Sequence, residues 1–268
     1  MSNEAPRVRT EIDGPIAEVI LSRSEKHNGL DLDMFEAIVA AGEALLDDKS
    51  VRVVILHGEG KSFCAGLDFK WVMMAGEAGQ EKLLHRPEGR ADNLAQRVAW
   101  IWQELPMPVI AAVHGTCVGG GFQIALGADI RIVHPESKLA IREMHYGIIP
   151  DMGITVTAPK VMRADIVKEL TFTARSFTGA DSKDYGFATS LSETPLAAAR
   201  ELARSIAARS PDGVRAAKAM LNRAPADDPV AAFALETELQ RPLLRSPNQL
   251  EAVRAAMMKQ EPKFEDPR

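Results

Sequence analysis

An α/β fold with a helical C-terminal part is what this sequence predicts, and three observations predict it. Residues 51–56 and 109–113 are short, dense apolar runs of the kind buried within a parallel sheet. Between and after them, apolar residues recur at helical intervals and the connections are rich in glycine. From Pro195 onward the composition shifts to Ala-, Arg-, Glu- and Leu-rich segments, three of which carry proline near the first helical position.

The elements follow in order. Residues 8–12 and 16–21 read as two strands of a hairpin joined by Asp13-Gly14-Pro15. From Leu30 onward, Leu32, Phe35, Ile38, Val39, Gly42, Leu45 and Leu46 recur at helical spacing, and Asp31 or Asp33 can cap the start. The run 51–56 is the next strand, so a strand-helix-strand unit begins here. A glycine-rich loop, 57–68, leads into an irregular stretch, 69–89, that reads as a functional lid or a surface insertion.

Residues 91–105 place Leu94, Val98, Ile101, Trp102 and Leu105 on one side of a helix that Pro106 and Pro108 end. Trp100 and Trp102 are expected in the core or an interface. Strands at 109–113, 129–133 and 138–141 come next, with a helix through Ala128 between the first two. A loop at 142–153 then precedes helical patterns at 155–161, 164–172, 180–185, 196–208, 211–222, 229–243 and 247–258.

Composition excludes several classes. Apolar residues make up 46% of the chain, charged residues 26%, and the net charge is −5, so neither disorder nor a general affinity for nucleic acid is expected. The two cysteines, Cys64 and Cys117, are far apart and have no ligand-type spacing, which argues against a disulfide framework or a zinc site and for a reducing compartment. The polar first ten residues lack a signal-type apolar core, and no later run reaches the length of a membrane span. A soluble cytoplasmic protein with no membrane contact is the expectation.

Chemistry concentrates at three places. The run from Val109 feeds through His114-Gly115 into Gly119-Gly120-Gly121 and an Ala/Leu-rich helix; glycines without Cβ let a group approach the backbone where first-turn N–H groups are free. Such a turn suits an oxyanion or a polarised carbonyl, though it also serves plain strand-to-helix packing. Glu143 and Asp151 stand eight residues apart on one loop just after a strand. Asp151 after Pro150 could equally be a turn or cap residue. His145 is expected at the surface, and Cys64, with no adjacent base, as a small apolar filler.

Cys64-Ala65-Gly66-Leu67-Asp68, then His114-Gly115 through Gly119-Gly120-Gly121 and Gln123, then Glu143 with Gly147 and Pro150 stand in this order along the chain. Together they resemble the crotonase superfamily, the enoyl-CoA hydratases and isomerases. The resemblance runs from Ala17-Glu18-Val19 to Glu261-Pro262-Lys263-Phe264. It implies a spiral of ββα turns with two roughly perpendicular sheets over residues 1–195 and a helical oligomerisation region over 196–268 that builds a homotrimer, often paired as a hexamer. An oxyanion hole from the backbone N–H groups of Leu67 and Gly120 is implied too. Lys26, Ala65, Gly66, Asp68 and Gly119 fall where family members contact the CoA substrate. No metal and no cofactor apart from the CoA of the substrate is implied.

The departure is Gln123. Hydratases of this family use two glutamates, and here Glu143 is present while an amide, which exchanges no proton near neutral pH, replaces the first. Asp151 matches the second acid of the dienoyl-CoA isomerases, although those carry an Asp where Gln123 stands. Glu143, Asp151 and Gln123 are thus the catalytic candidates, for double-bond isomerisation of an unsaturated acyl-CoA. Enoyl-CoA hydration by one glutamate is the alternative, and a non-catalytic acyl-CoA-binding protein the third reading.

Overall fold

The structure, a computed structural model, describes residues 6–225 and 228–267; the first five residues of the polar start lie outside it. β1 (Val8–Asp13) and β2 (Ile16–Leu21) form the hairpin, closing at Asp13 against Ile16. α1 (Leu32–Glu43) starts where the Asp31 carboxylate accepts the Met34 N–H at 2.9 Å, satisfying one of the donors a helix start leaves free. β3 (Val53–Gly58) then lies parallel to β2.

Residues 69–89 are not an irregular loop, which corrects the sequence reading. Most of them form α2 (Phe69–Leu84), capped by Asp68 and kinked at Gly76, where φ is +56° and ψ is −153°. Gly76, Gly79 and the polar Glu77, Gln80 and Glu81 blurred its period, because an exposed helix with one half-covered face carries little amphipathic signal. α3 (Leu94–Glu104) begins with a reciprocal Asn93/Gln96 capping box and buries Val98, Ile101 and Trp102.

From β4 (Val109–Val113) the chain alternates between two sheets. It enters β5 (Thr116–Val118), turns through α4 (Gly120–Gly127), and repeats the pattern with β6 (Ile130–Val133) and β7 (Lys138–Ala140). A 3-10 turn (Glu143–Tyr146), α5 (Ile154–Thr157), a second 3-10 turn (Ala158–Lys160) and α6 (Ala164–Thr173) follow, so 155–161 is not one helix. β8 (Phe177–Thr178), α7 (Gly179–Asp184) and β9 (Ser190–Leu191) close the spiral. The larger sheet runs β1-β2-β3-β4-β6-β9 and the smaller β5-β7-β8.

Burial explains the apolar runs. On β3, Val54 and Leu56 face the main core with Phe35, Phe63, Trp102 and Phe122, while Val53 and Ile55 face α8 (Pro195–Ala207). A strand covered on both faces has no polar face to alternate with. Ala199, Ala203 and Ala207 let α8 lie close against Ile110, Ala112 and Ile132. α9 (Pro211–Arg223) is pinned by Lys218, whose buried ammonium donates to the Trp102 and Met107 carbonyls at 2.8 and 3.0 Å and pairs with Asp129 at 2.8 Å. α10 (Pro229–Gln240) and α11 (Pro247–Met258) complete the chain; Val230, Phe233, Met257 and Met258 on them are exposed.

Candidate active site

Two backbone segments meet at the glycine turn. Cys64 pairs with Cys117 as a parallel bridge, and the Val118 N–H donates to the Cys64 carbonyl at 3.1 Å. Gly66 has a φ of +80°, and a Cβ there would sit 2.8 Å from the Val118 carbonyl oxygen and 3.5 Å from the Gly120 nitrogen. Only glycine meets both demands. Leu30 takes up the groups on either side of Leu67: its N–H donates to the Gly66 carbonyl and its carbonyl accepts the Asp68 N–H. The Leu67 N–H is left without a partner among the described residues, and so is the Gly120 N–H at the first position of α4. Two free donors on segments in contact can receive a developing oxyanion.

The carboxylates lie beside this turn. Glu143 is buried at the start of its 3-10 turn, and its Oε1 sits 3.5 Å from where a Gly119 Cβ would be. Gln123, fully buried on α4, donates its amide to that Oε1 at 2.6 Å and accepts the Met152 N–H on its own oxygen at 2.9 Å. The other oxygen, Oε2, is buried with no partner among the described residues. Desolvation pushes the Glu143 carboxyl above its ordinary value against the pull of its hydrogen bonds, with a further push from the Asp151 charge. Asp151 is solvent-accessible, yet the surrounding protein still raises its carboxyl by desolvation. Both groups are therefore easier to protonate than free carboxylates, as groups that hold and return a proton must be.

An apolar cavity of about 540 Å³ is lined by Leu67, Asp151 and Met152 and, from α1, α2 and α3, by Phe35, Trp71 and Ala95. Asp151 is its one charged lining residue among the described residues. Glu143 and Gln123 are not among its lining residues; Glu143 adjoins the cavity's edge through Gly119 and through Gln123, which holds the lining residue Met152. The kink at Gly76 lets α2 present Trp71, Val72 and Ala75 from one half and Leu83 and Leu84 from the other.

The remaining sequence candidates separate. Gly66 stays in the contact with the glycine turn, whereas the Ala65 N–H donates to the His27 carbonyl at 2.9 Å. Asp68 is spent on structure: its carboxylate caps α2 and pairs with Arg23 at 2.9 Å. Burial opposes ionisation of Asp68, but the Trp71 N–H and Arg23 outweigh it and hold the carboxyl below its ordinary value. Lys26 is exposed on a 3-10 turn (Ser24–Lys26) beside the segment, and His145 is exposed with its ring against Tyr146. Cys64 is buried and its thiol is pushed up to about 12 by desolvation, the behaviour of a filler rather than a nucleophile.

Three site residues escaped sequence reasoning. Arg23 joins Asp31 at 3.1 Å and Asp68 at 2.9 Å. Asn28, fully buried at φ +56°, donates to the carbonyls of Glu59, Ser62 and Phe63 and so fixes the loop before Cys64. Its one sequence signal is the Asn28-Gly29 turn pair. Met152 gives Gln123 its orientation, and a backbone N–H leaves no trace in a sequence.

Comparison with known proteins adds the following. Residues 11–267 match the enoyl-CoA hydratase/isomerase family profile. The chain is 29% identical to a peroxisomal Delta(3,5)-Delta(2,4)-dienoyl-CoA isomerase of Arabidopsis thaliana, covering 96% of this chain and 95% of that protein. It is also 29% identical to a mitochondrial methylglutaconyl-CoA hydratase of Mus musculus, over 91% of this chain and 77% of that one. Among solved structures, an enoyl-CoA hydratase from Bacillus anthracis superposes with a TM-score of 0.89 at 26% identity, covering 96% of this chain and 98% of that one.

Proposed function

The chain belongs to the enoyl-CoA hydratase/isomerase family and has its crotonase fold, and we propose that within the family it shifts the double bonds of an unsaturated acyl-CoA. The observation that carries this reading is the pair Glu143 and Asp151, two carboxyls raised by desolvation on one loop, with Asp151 lining an apolar cavity together with Leu67, whose N–H, like that of Gly120 on the adjoining segment, is free among the described residues.

In the proposed reaction the thioester oxygen accepts hydrogen bonds from Leu67 and Gly120, which stabilises negative charge there; losing one such donor costs about 2.7–4 kcal/mol in comparable sites. One carboxylate takes a proton from the carbon beside the carbonyl, and the electron pair of that C–H bond moves into the conjugated system. The other carboxyl delivers a proton further along the chain. The product is an isomer, and the two side chains have exchanged protonation states. The acyl group is apolar and uncharged in this reading, because no cation lines the cavity among the described residues and Asp151 would repel a second carboxylate.

Hydration is the second reading, supported by the unpartnered Glu143 Oε2, where a water could sit, and by the hydratase among the relatives. Asp151→Asn separates the two. Isomerisation through Asp151 requires its kcat to fall about 10²-fold or more with folding intact; an unchanged kcat on every substrate leaves hydration.

A trimer or a pair of trimers in the cytoplasm is part of this proposal. It is supported by Val230, Phe233, Met257 and Met258, apolar and exposed on α10 and α11 of the single chain. Light scattering at micromolar concentration tests it, and a monomer overturns it.

A further inference from the structure

We infer that Gln123 is a positioning residue that pins one oxygen of Glu143 and leaves Oε2 as the single oxygen through which Glu143 exchanges a proton. The inference rests on the reading of Glu143 as a proton-transfer group and adds what selects its active oxygen.

The orientation of the Gln123 amide follows from its partners. The Met152 N–H at 2.9 Å is a donor, so the Gln123 atom facing it is the oxygen. Nε2 therefore faces Glu143 and donates to Oε1 at 2.6 Å. Both ends of the amide are fixed by the protein, and Oε1 accepts in either protonation state of Glu143. Oε2, itself buried, has no partner among the described residues and is the oxygen left to carry the proton.

The same amide ties the base to the oxyanion turn. Gln123 stands three residues into α4, the helix that begins at Gly120. Met152, which Gln123 holds by its backbone, returns its sulfur to within 2.9 Å of where a Gly120 Cβ would lie. Gly120, Gln123 and Met152 thus form a closed circuit, with Glu143 attached at Oε1 and Asp151 one residue before Met152. A glutamate at position 123 would place a second negative charge on Oε1, and an apolar residue there would leave Oε1 unpaired.

The charges around Glu143 are few. Asp151 acts on it from the same loop, and the Arg142 guanidinium is turned away to the Ala174 carbonyl at 2.8 Å. His145 is exposed. On α6, packed against the turn, Asp165 and Glu169 are taken up by Arg163 and Arg175, and Lys168 is exposed. α4 contributes Gln123 itself.

The test is an infrared pH titration of the full chain without substrate, following the carboxyl stretch that disappears in Glu143→Gln. In Gln123→Met the titration midpoint of that band moves to higher pH, because a donor to the carboxylate is gone; in Gln123→Glu it moves further. With substrate, the acid limb of the kcat profile moves the same way, kcat falls about ten- to a hundredfold in Gln123→Met, and KM changes less than about threefold because Gln123 does not line the cavity. Midpoints unchanged in Gln123→Glu, or an effect seen in KM alone, would overturn the inference. Should the wild type turn over neither dienoyl- nor enoyl-CoA, the proposed reaction fails while the titration still decides the role of Gln123.

Discussion

Arg23 pairs with Asp68 at 2.9 Å through one terminal nitrogen and with Asp31 at 3.1 Å through the other, so one nearly buried guanidinium joins the carboxylates that cap α1 and α2. Those two helices wall the cavity, and Leu67 precedes Asp68. Arg23→Met keeps the stem and removes the charge. Hydrogen bonds to charged groups contribute about 1.5–3 kcal/mol, which for a chain of this size corresponds to a Tm lower by roughly 3–10 °C. Calorimetry checks it, together with a lower kcat as the Leu67 N–H loses its fixed place.

Gly66→Ala tests the contact between the two loop segments. The new Cβ would meet a backbone oxygen at 2.8 Å at a φ of +80°, and neither can be relieved by a side-chain rotation. The segments must separate, carrying Leu67 away from Gly120. The expected result is a kcat lower by about 10²- to 10³-fold, the loss of one oxyanion donor, with the far-ultraviolet dichroism unchanged.

Glu143→Gln is expected to stabilise the protein at neutral pH while removing activity. Burial raises the Glu143 carboxyl above its unfolded value. Its contribution to stability is therefore complete below the unfolded pKa and is lost as pH rises through the folded one. A neutral amide escapes that loss, so the Tm of Glu143→Gln exceeds the wild type at pH 7 to 8, and the two curves converge near pH 4. Melting curves across pH give the check.

Much of this architecture was legible in the sequence, for reasons particular residues show. Residues 51–56 read as a doubly buried strand because Val53 to Leu56 of β3 do face two cores, and a cap at Asp31 or Asp33 was legible because a short carboxylate before a helical period is a local signal, with Asp31 the one that caps. α2 was not legible, since its Gly76 kink and exposed Met73 and Met74 break the amphipathic period. β5, β8 and β9, two or three residues each, are too short to show an alternation. At the candidate site, Gly120, Glu143 and Asp151 stood out in the sequence as candidates through motif spacing. Arg23 with Asp31 and Asp68, and Gln123 with Met152, were not, because pairings fixed by the tertiary fold leave no periodicity along the chain.

The most direct measurement offers 3,5-dienoyl-CoA and 2-enoyl-CoA separately to the wild type and follows both product spectra. A two-carboxylate isomerase converts the first to the 2,4-dienoyl isomer, conjugated with the thioester carbonyl, with a rate that Asp151→Asn lowers about 10²-fold or more, and hydrates the second slowly. Fast hydration of 2-enoyl-CoA, with Asp151→Asn active on every substrate, would contradict that account and make the protein a one-glutamate hydratase.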